Sequence, residues 1–222
     1  MDIVQLEDKL PYRDFIIRIF KWLVIGLGLT FISSLLFYFS GISYYLGMII
    51  LLVPVIEIIM VLFLAKNIEN LSYSKSKKWF YAYSIINGIT FSILCDFVAP
   101  GAFILASAMT IAYFGLLYAI SANTTYDFTN IGKMCLLALI PLCIGFLICI
   151  FLNLSALYMI LITVDLIIFT GITLYDFKRI NASYEKATFE TQDVLILDCA
   201  FNLYLDFVNI FYDILMLLDD FS

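Results

Sequence analysis

The sequence contains no histidine among its 222 residues, and only 14% of the residues are charged. Without histidine, the chain cannot form Ser/His or Cys/His hydrolase arrangements or a His-based zinc site, and it has no imidazole to sense protons near neutral pH. The net charge of −6 gives no indication of a nucleic-acid partner. Any response to pH is therefore expected from carboxylates in unusual surroundings, with cysteine as the weaker alternative.

The sequence also shows no metal-ligand pattern and no evident signal peptide. The five cysteines lie in or beside apolar segments without ligand spacing, so we expect neither disulfides nor a metal cluster, and we predict no cofactor. No lysine lies deep inside an apolar run, which argues against a retinal Schiff base. The first 19 residues mix acidic and basic side chains, so the first apolar helix is expected to be retained.

Hydrophobic residues, in contrast, make up 64% of the chain, and the mean hydropathy is +1.05. A composition of this kind predicts an integral membrane protein whose partner is the lipid bilayer. Each apolar run is expected to be a helix, because an open strand edge cannot satisfy its hydrogen bonds in lipid. The sequence predicts one all-α domain, residues 1–222, with seven transmembrane helices at about 20–39, 45–65, 79–97, 101–120, 134–152, 156–175 and 196–218.

The lysines and arginines predict the orientation of these helices. All twelve precede or open the first predicted helix or follow the second, fourth and sixth, and none follows the odd-numbered helices. The positive-inside bias therefore predicts a cytosolic N terminus and a C terminus outside or in a lumen. The longest polar connection, Phe177 to Val194, is predicted on the cytosolic side.

The last apolar run carries a polar stripe. Its five members are spaced by 4, 4, 3 and 4 residues, which places them within about 80° of one helix face: Asp198, Asn202, Asp206, Asn209 and Asp213. Three centrally placed aspartates would cost about 7 to 10 kcal/mol in lipid, and the apolar residues of this helix offset roughly 4 to 8. Carboxylates that are this costly to place within a membrane are functional candidates by default. In a second interpretation, the stripe forms hydrogen bonds between helices that fix their packing.

Helix six carries two further aspartates, Asp165 and Asp176, whose spacing of eleven residues places them on the same face. Helices six and seven are antiparallel, so Asp176 can meet either Asp198 or Asp206. The depth of these residues in the membrane does not by itself distinguish the two pairings. Glu57 in helix two is another deep carboxyl.

Two carboxyls within hydrogen-bonding reach in a low-dielectric site cannot both ionise easily, so they share one proton. Deprotonated, the pair repels and presents oxygens suited to a hard cation such as Ca²⁺, which prefers six to eight oxygen ligands. Such a pair can be both a gate and a transient cation site. Auxiliary ligands or path residues are then expected among the other polar groups: Asp198, Asn202, Asn209, Asp213, Asp165 and Glu57.

Three segments resemble the transmembrane Bax inhibitor motif family. Ala200 to Phe211, with its Leu-Tyr-Leu-Asp-Phe-Val-Asn-Ile-Phe run, is similar to the last-helix signature of that family. Leu174-Tyr-Asp-Phe177 resembles the Tyr-Asp-Thr at the end of its helix six. Thr110 to Gly132 resembles the exit of its helix four.

The resemblance implies a fold in which six helices surround a central helix seven. It also implies a pH-sensitive calcium leak, gated by the pair Asp176 and Asp206, with calcium and protons as the ligands. Family members contribute to calcium homeostasis and suppression of cell death, in the endoplasmic reticulum or Golgi of eukaryotes and in the plasma membrane of bacteria. Some relatives hold the closed pair with an arginine of helix two, where this chain has Glu57 and no arginine.

Two other functions compete with the leak channel. A membrane scaffold or apoptosis regulator without transport would retain its cellular effect after the aspartates are neutralised. An intramembrane aspartyl protease also uses Tyr-Asp on one helix and Asp on the next, but its Gly-x-Gly-Asp and Pro-Ala-Leu elements are absent here. The sequence therefore predicts a protein that is not an enzyme, and it names no protein partner.

Overall fold

A computed structural model of the chain describes residues 9–41, 52–68 and 71–220. The first seven residues of the predicted second span, 45–51, and residues 221 and 222 lie outside the described residues.

The described residues form helices and no strand, which confirms the predicted all-helical fold for this part of the chain. In chain order the seven helices are α1 (Tyr12–Ser40), α2 (Leu52–Asn67), α3 (Tyr73–Leu94), α4 (Pro100–Asn123), α5 (Thr129–Leu152), α6 (Ser155–Lys186) and α7 (Gln192–Asp220). Each of them overlaps one predicted span.

Five of these helices, α1, α4, α5, α6 and α7, are long and apolar enough to cross a membrane. The apolar part of α2 is shorter, Val55–Leu64, and α3 opens with the lysines at positions 75, 77 and 78. The fold is therefore consistent with an all-α membrane protein. About two thirds of the most apolar part of α7 is buried, compared with a third or less in the other four candidate spans.

Helix α6 is longer than its apolar run predicts. The predicted span ended near residue 175, but the helix continues to Lys186, and α7 begins at Gln192. Most of the polar connection from Phe177 to Val194 is therefore helical. The hydropathy pattern marks where contact with lipid ends, which need not be where the helix ends. Residues 177–186 contain no proline or glycine that would end the helix.

The chain forms two compact units, and α6 and α7 contribute residues to both. The first comprises the described residues up to Val98 together with Ser183–Tyr204. At its centre the ring of Tyr204 packs edge-on against Phe80 and Tyr83, with ring centroids 5.8 and 5.9 Å apart. Gly88 of α3 lies directly against the Thr30 carbonyl of α1, so these two helices are in close contact.

An aromatic cluster lies near the start of α1 in the same unit. The indole ring of Trp22 contacts Tyr73, Phe80 and Tyr81, and the ammonium of Lys77 lies 5.7 Å from its centroid. Amphipathic rings with a nearby cation are typical of the interface between membrane and water.

The N-terminal segment holds the connection between α6 and α7. The Leu10 amide donates to Oε1 of Gln192 at 3.0 Å, and the Tyr184 hydroxyl donates to the Leu10 carbonyl at 3.1 Å. Arg18 and Asp193 form an exposed ion pair at 3.1 Å. These contacts fix the position of the turn within the first unit.

The second unit comprises Ala99–Ala182 and the chain from Leu205 onward. Its core includes Leu142 of α5 and Ile168 and Ile172 of α6. Gly171 lets α6 approach α5 closely, because a Cβ at this position would lie 2.6 Å from Sγ of Cys135. The acidic groups described next lie on this framework.

Candidate functional site

Asp206 of α7 and Asp176 of α6 lie near each other in the second unit. Asp206 is 2% exposed and Asp176 is 9% exposed. The two carboxyls are close enough for their charges to interact, and the hydroxyl of Thr173 lies within hydrogen-bonding reach of Asp206. Within the part of the chain that the structure describes, Oδ2 of Asp206 has no hydrogen-bond partner. The pair therefore contains a buried carboxyl oxygen that a proton or a cation would satisfy.

The guanidinium of Arg179, which lies on the same helix as Asp176, approaches this pair. Nη1 of Arg179 lies 3.9 Å from Oδ1 of Asp176, three residues earlier on α6. The spacing of three residues in the sequence indicates this contact, since side chains at i and i+3 are neighbours on a helix surface. Arg179 is two-thirds buried, so its charge acts on Asp176 in surroundings less polar than water.

The residues that follow each aspartate are anchored by one ring of α4. Phe114 contacts Phe177 and Phe207, with ring centroids 5.0 and 5.4 Å apart. Phe114 is buried and thus couples the backbone positions next to both carboxyls. Sequence reasoning noted this phenylalanine only as part of a motif, because no pattern in one sequence shows which rings meet.

A glycine of α5 positions the residue before Asp176. A Cβ on Gly132 would lie 2.4 Å from Cγ of Tyr175, so only glycine allows this ring to pack there. Lys178, two residues after the aspartate, donates to the Thr124 carbonyl at the end of α4. The segment 175–178 is therefore held from both α4 and α5.

The remaining stripe residues have different surroundings. Asp198 is buried in the first unit, and Nδ2 of Asn202 donates to its backbone carbonyl at 2.9 Å. Nδ2 of Asn209 donates to the Leu205 carbonyl at 2.8 Å. Both amides therefore hydrogen-bond along their own helix. Their role as auxiliary ligands stays a prediction.

Asp213 and Asp165, the outermost predicted path residues, also lie close to each other within the second unit. The sequence placed each on the correct helix face but did not pair them. The pairing depends on the register of α6 against α7, which helical periodicity alone does not give.

Glu57 belongs to a buried network in the first unit. Its Oε1 accepts hydrogen bonds from Nδ2 of Asn87 at 3.2 Å and from the hydroxyl of Thr90 at 3.0 Å. The Tyr204 hydroxyl donates to Oδ1 of Asn87 at 3.1 Å and lies 2.6 Å from the Thr30 hydroxyl. Glu57 thus connects α2, α3, α1 and α7 through side chains.

One exposed carboxyl provides a contrast. Hydrogen bonds from the hydroxyl and the amide of Thr129 hold the pKa of Asp127 below its usual range. A lowered pKa keeps this group ionised at every pH above about 4. Asp127 therefore does not change its charge between pH 5 and 8.

The arrangement at Asp176 and Asp206 fits a shared proton or a weakly held cation. Among the described residues, no three acidic, cysteine or histidine side chains come together as metal ligands. A Ca²⁺ ion at the pair would therefore complete its six to eight oxygen ligands with water and main-chain carbonyls.

The sequence comparisons agree with this architecture. Residues 12–222 match the family described as "Inhibitor of apoptosis-promoting Bax1". The chain is 28% identical to an uncharacterized protein of Deinococcus radiodurans, over 90% of this chain and 87% of that protein. It is 25% identical to an uncharacterized membrane protein of Streptococcus pyogenes serotype M1, over 96% and 95% of the two chains.

A third relative is the inner membrane protein YbhL of Escherichia coli K12, which is 27% identical over 93% of this chain and 91% of that protein. The matched region contains all seven helices. The chain therefore belongs to the Bax inhibitor family of membrane proteins.

Proposed function

We propose that this protein is a pH-sensitive calcium leak channel gated by Asp176 and Asp206. The observation that carries the proposal is the proximity of two buried carboxyls on two different helices, one of which has an oxygen without a hydrogen-bond partner among the described residues. Buried carboxyls at membrane depth are costly and mark ion or proton pathways. Membership of the Bax inhibitor family supports the assignment.

The gate follows from the charge of the pair. At low pH one shared proton joins the two carboxyls and holds α6 to α7. As the pH rises the proton leaves, the two negative charges repel each other, and their oxygens become available to Ca²⁺. We therefore expect calcium flux to increase between about pH 5 and 8, the range that a coupled carboxylate pair can reach.

The proposal includes one domain of seven spans with α7 at its centre, the N terminus in the cytosol and the C terminus outside or in a lumen. The burial of α7 and the distribution of lysine and arginine support it. The membrane is the plasma membrane if the protein is bacterial, and the endoplasmic reticulum or Golgi otherwise. The proposed activity is transport, without enzymatic chemistry or a resident cofactor.

The test is calcium flux through purified protein in liposomes. Wild-type flux should rise about tenfold from pH 5 to pH 8, a change equivalent to about 1.4 kcal/mol. Asp176→Asn and Asp206→Asn each remove one charge and hence the repulsion, so we expect both variants to show low flux that does not vary with pH.

Asp127→Asn is the matched control, because this exposed carboxyl keeps its charge throughout the same range. We expect its flux and pH profile to equal those of the wild type. If both dyad variants keep the wild-type profile, the gating mechanism is wrong. If the wild type passes no calcium at any pH, the channel proposal itself fails.

Arg179 offers a second test of the gate. Its positive charge favours the ionised form of Asp176, so Arg179→Gln should move the rise in flux toward higher pH. An ion pair between neighbouring side chains of one helix contributes about 0.3 to 0.5 kcal/mol. The midpoint of the rise in flux should therefore shift by roughly 0.2 to 0.4 pH unit. Arg179→Lys keeps the charge and should keep the midpoint. Equal midpoints in the Gln and Lys variants would show that this guanidinium does not act on the gate.

A role in regulating cell death without transport is the second candidate, favoured by the description of the matching family. Expression of Asp206→Asn in stressed cells separates the two functions. A protective effect that survives this substitution supports the scaffold, whereas its loss together with flux supports the channel.

A further inference from the structure

A second acidic pair lies on the same two helices as the proposed gate. Asp213 of α7 is 1% exposed, and Asp165 of α6 is partly buried and close enough to interact with its charge. Within the described part of the chain, Oδ2 of Asp213 and Oδ1 of Asp165 have no hydrogen-bond partner. Two buried carboxyl oxygens without donors are a costly arrangement that a ligand would relieve.

Two tyrosines complete the surroundings of this pair. The hydroxyls of Tyr158 and Tyr212 lie 3.0 Å apart, and both carboxyls are near enough to Tyr212 to act on it electrostatically. Phenolic oxygens are neutral and can serve either as hydrogen-bond donors or as oxygen ligands. The cluster of Asp165, Asp213, Tyr158 and Tyr212, which we call the outer cluster, therefore presents only oxygen atoms.

The outer cluster adjoins a recess through one of its tyrosines. Tyr158 also lines an open recess of about 360 Å³ at the turn between α5 and α6, together with Cys149, Asn153, Leu154 and Ser155. A recess of this volume holds several water molecules. An ion in this recess would lie beside Tyr158, which is a member of the outer cluster.

We propose that the outer cluster is a second cation site, which takes a partly hydrated Ca²⁺ ion from the recess in exchange for the proton that its carboxyls otherwise share. The identity of the ion rests on the proposed leak function, whereas the existence of the site rests on the geometry of these four residues.

Charge balance favours a divalent ion. Two ionised aspartates and one Ca²⁺ are neutral together, whereas a monovalent ion would leave a net negative charge in apolar surroundings. Four carboxyl and two phenolic oxygens supply up to six ligands, and water from the recess supplies the rest. Protonation of either carboxyl removes this balance, so binding should weaken as the pH falls.

The two acidic pairs lie in series. Asp165 and Asp176 are separated by about 16 Å along α6, and Asp206 and Asp213 by about 10 Å along α7, at 1.5 Å per residue. The two acidic pairs are therefore about 10 to 16 Å apart along the helices. The outer cluster would load the ion, and the inner pair would control its passage.

Binding is measured directly with terbium, which replaces calcium and emits when a nearby tyrosine is excited. Purified wild-type protein at pH 7 should show tyrosine-sensitised emission that Ca²⁺ displaces. Asp213→Asn and Asp165→Asn should each weaken apparent binding at least tenfold, and Asp127→Asn should leave it unchanged. A wild-type signal in Asp213→Asn, or a signal lost in Asp206→Asn instead, overturns the proposal.

A second measurement needs no substitution. Dicyclohexylcarbodiimide modifies protonated carboxyls in apolar surroundings, and peptide mapping of the wild type should find the adduct on Asp213 or Asp165. Millimolar Ca²⁺ should reduce this labelling at least twofold, and labelling that is absent or indifferent to Ca²⁺ contradicts the site. Liposomes that pass no calcium would refute the leak function but leave both binding results standing.

Discussion

Replacing Gly88 with alanine is expected to cost about 2 to 3 kcal/mol of unfolding free energy. A Cβ at this position would lie 1.8 Å from Oγ of Ser33 and 2.6 Å from the backbone carbonyl oxygen of Thr30. The serine can rotate, but the carbonyl belongs to the α1 backbone, so α1 and α3 must move apart. Overpacking of this kind costs about 1 to 3 kcal/mol in well-packed cores, and a clash with backbone belongs at the upper end.

The measurement is an SDS titration in mixed micelles, followed by the fluorescence of the two tryptophans. Gly28→Ala is the matched control, since it makes the same change within α1 and its added Cβ meets no atom within 4 Å. We expect no loss of stability there. Equal stabilities for the two variants would mean that α1 and α3 are not in close contact at Gly88.

The second large effect is expected at Asn87. Asn87→Leu removes the donor to Glu57 and the acceptor from Tyr204 in one change, and leaves Glu57 with Thr90 as its remaining described partner. An unsatisfied buried group costs about 1 to 3 kcal/mol, and a charged one costs more. We expect a loss of about 3 kcal/mol in the same titration.

Asn123→Leu is its control, because this exposed asparagine donates only to the Ala119 carbonyl of its own helix. Its effect should stay within about 0.5 kcal/mol. Glu57→Gln keeps an oxygen that can accept from both donors and should cost less than Asn87→Leu. A larger loss for Glu57→Gln would show that the charge of Glu57, and not its oxygen, stabilises the first unit.

The sequence predicted the order of the helices in the described part of the chain, because apolar runs are separated by polar turns. Several helices extend beyond the predicted spans for one reason. Helix α1 begins at Tyr12, before its apolar run, and α6 continues to Lys186, after its apolar run. Hydropathy reports contact with lipid, whereas helix ends depend on capping and on residues such as proline and glycine.

The candidate site, too, could be predicted from the sequence only in part. The three aspartates of the polar stripe, Asp198, Asp206 and Asp213, could be found from their spacing and from their cost in lipid, and the structure buries each of them. Their partners could not be found in this way, because the pairing depends on the register of α6 against α7. The sequence of either helix alone does not determine that register. Asp206 is close to Asp176, and Asp213 to Asp165, only through that register.

The aromatic cluster around Trp22 has a consequence for the membranes that suit this protein. If this ring lies at the headgroup level, α1 from Trp22 to Ser40 extends about 28 Å at 1.5 Å per residue, close to the roughly 30 Å of a typical hydrocarbon core. The helix then matches the bilayer with little tilt. In a markedly thicker bilayer it would have to thin the lipid around it, so bilayer thickness becomes a variable that acts on the first unit.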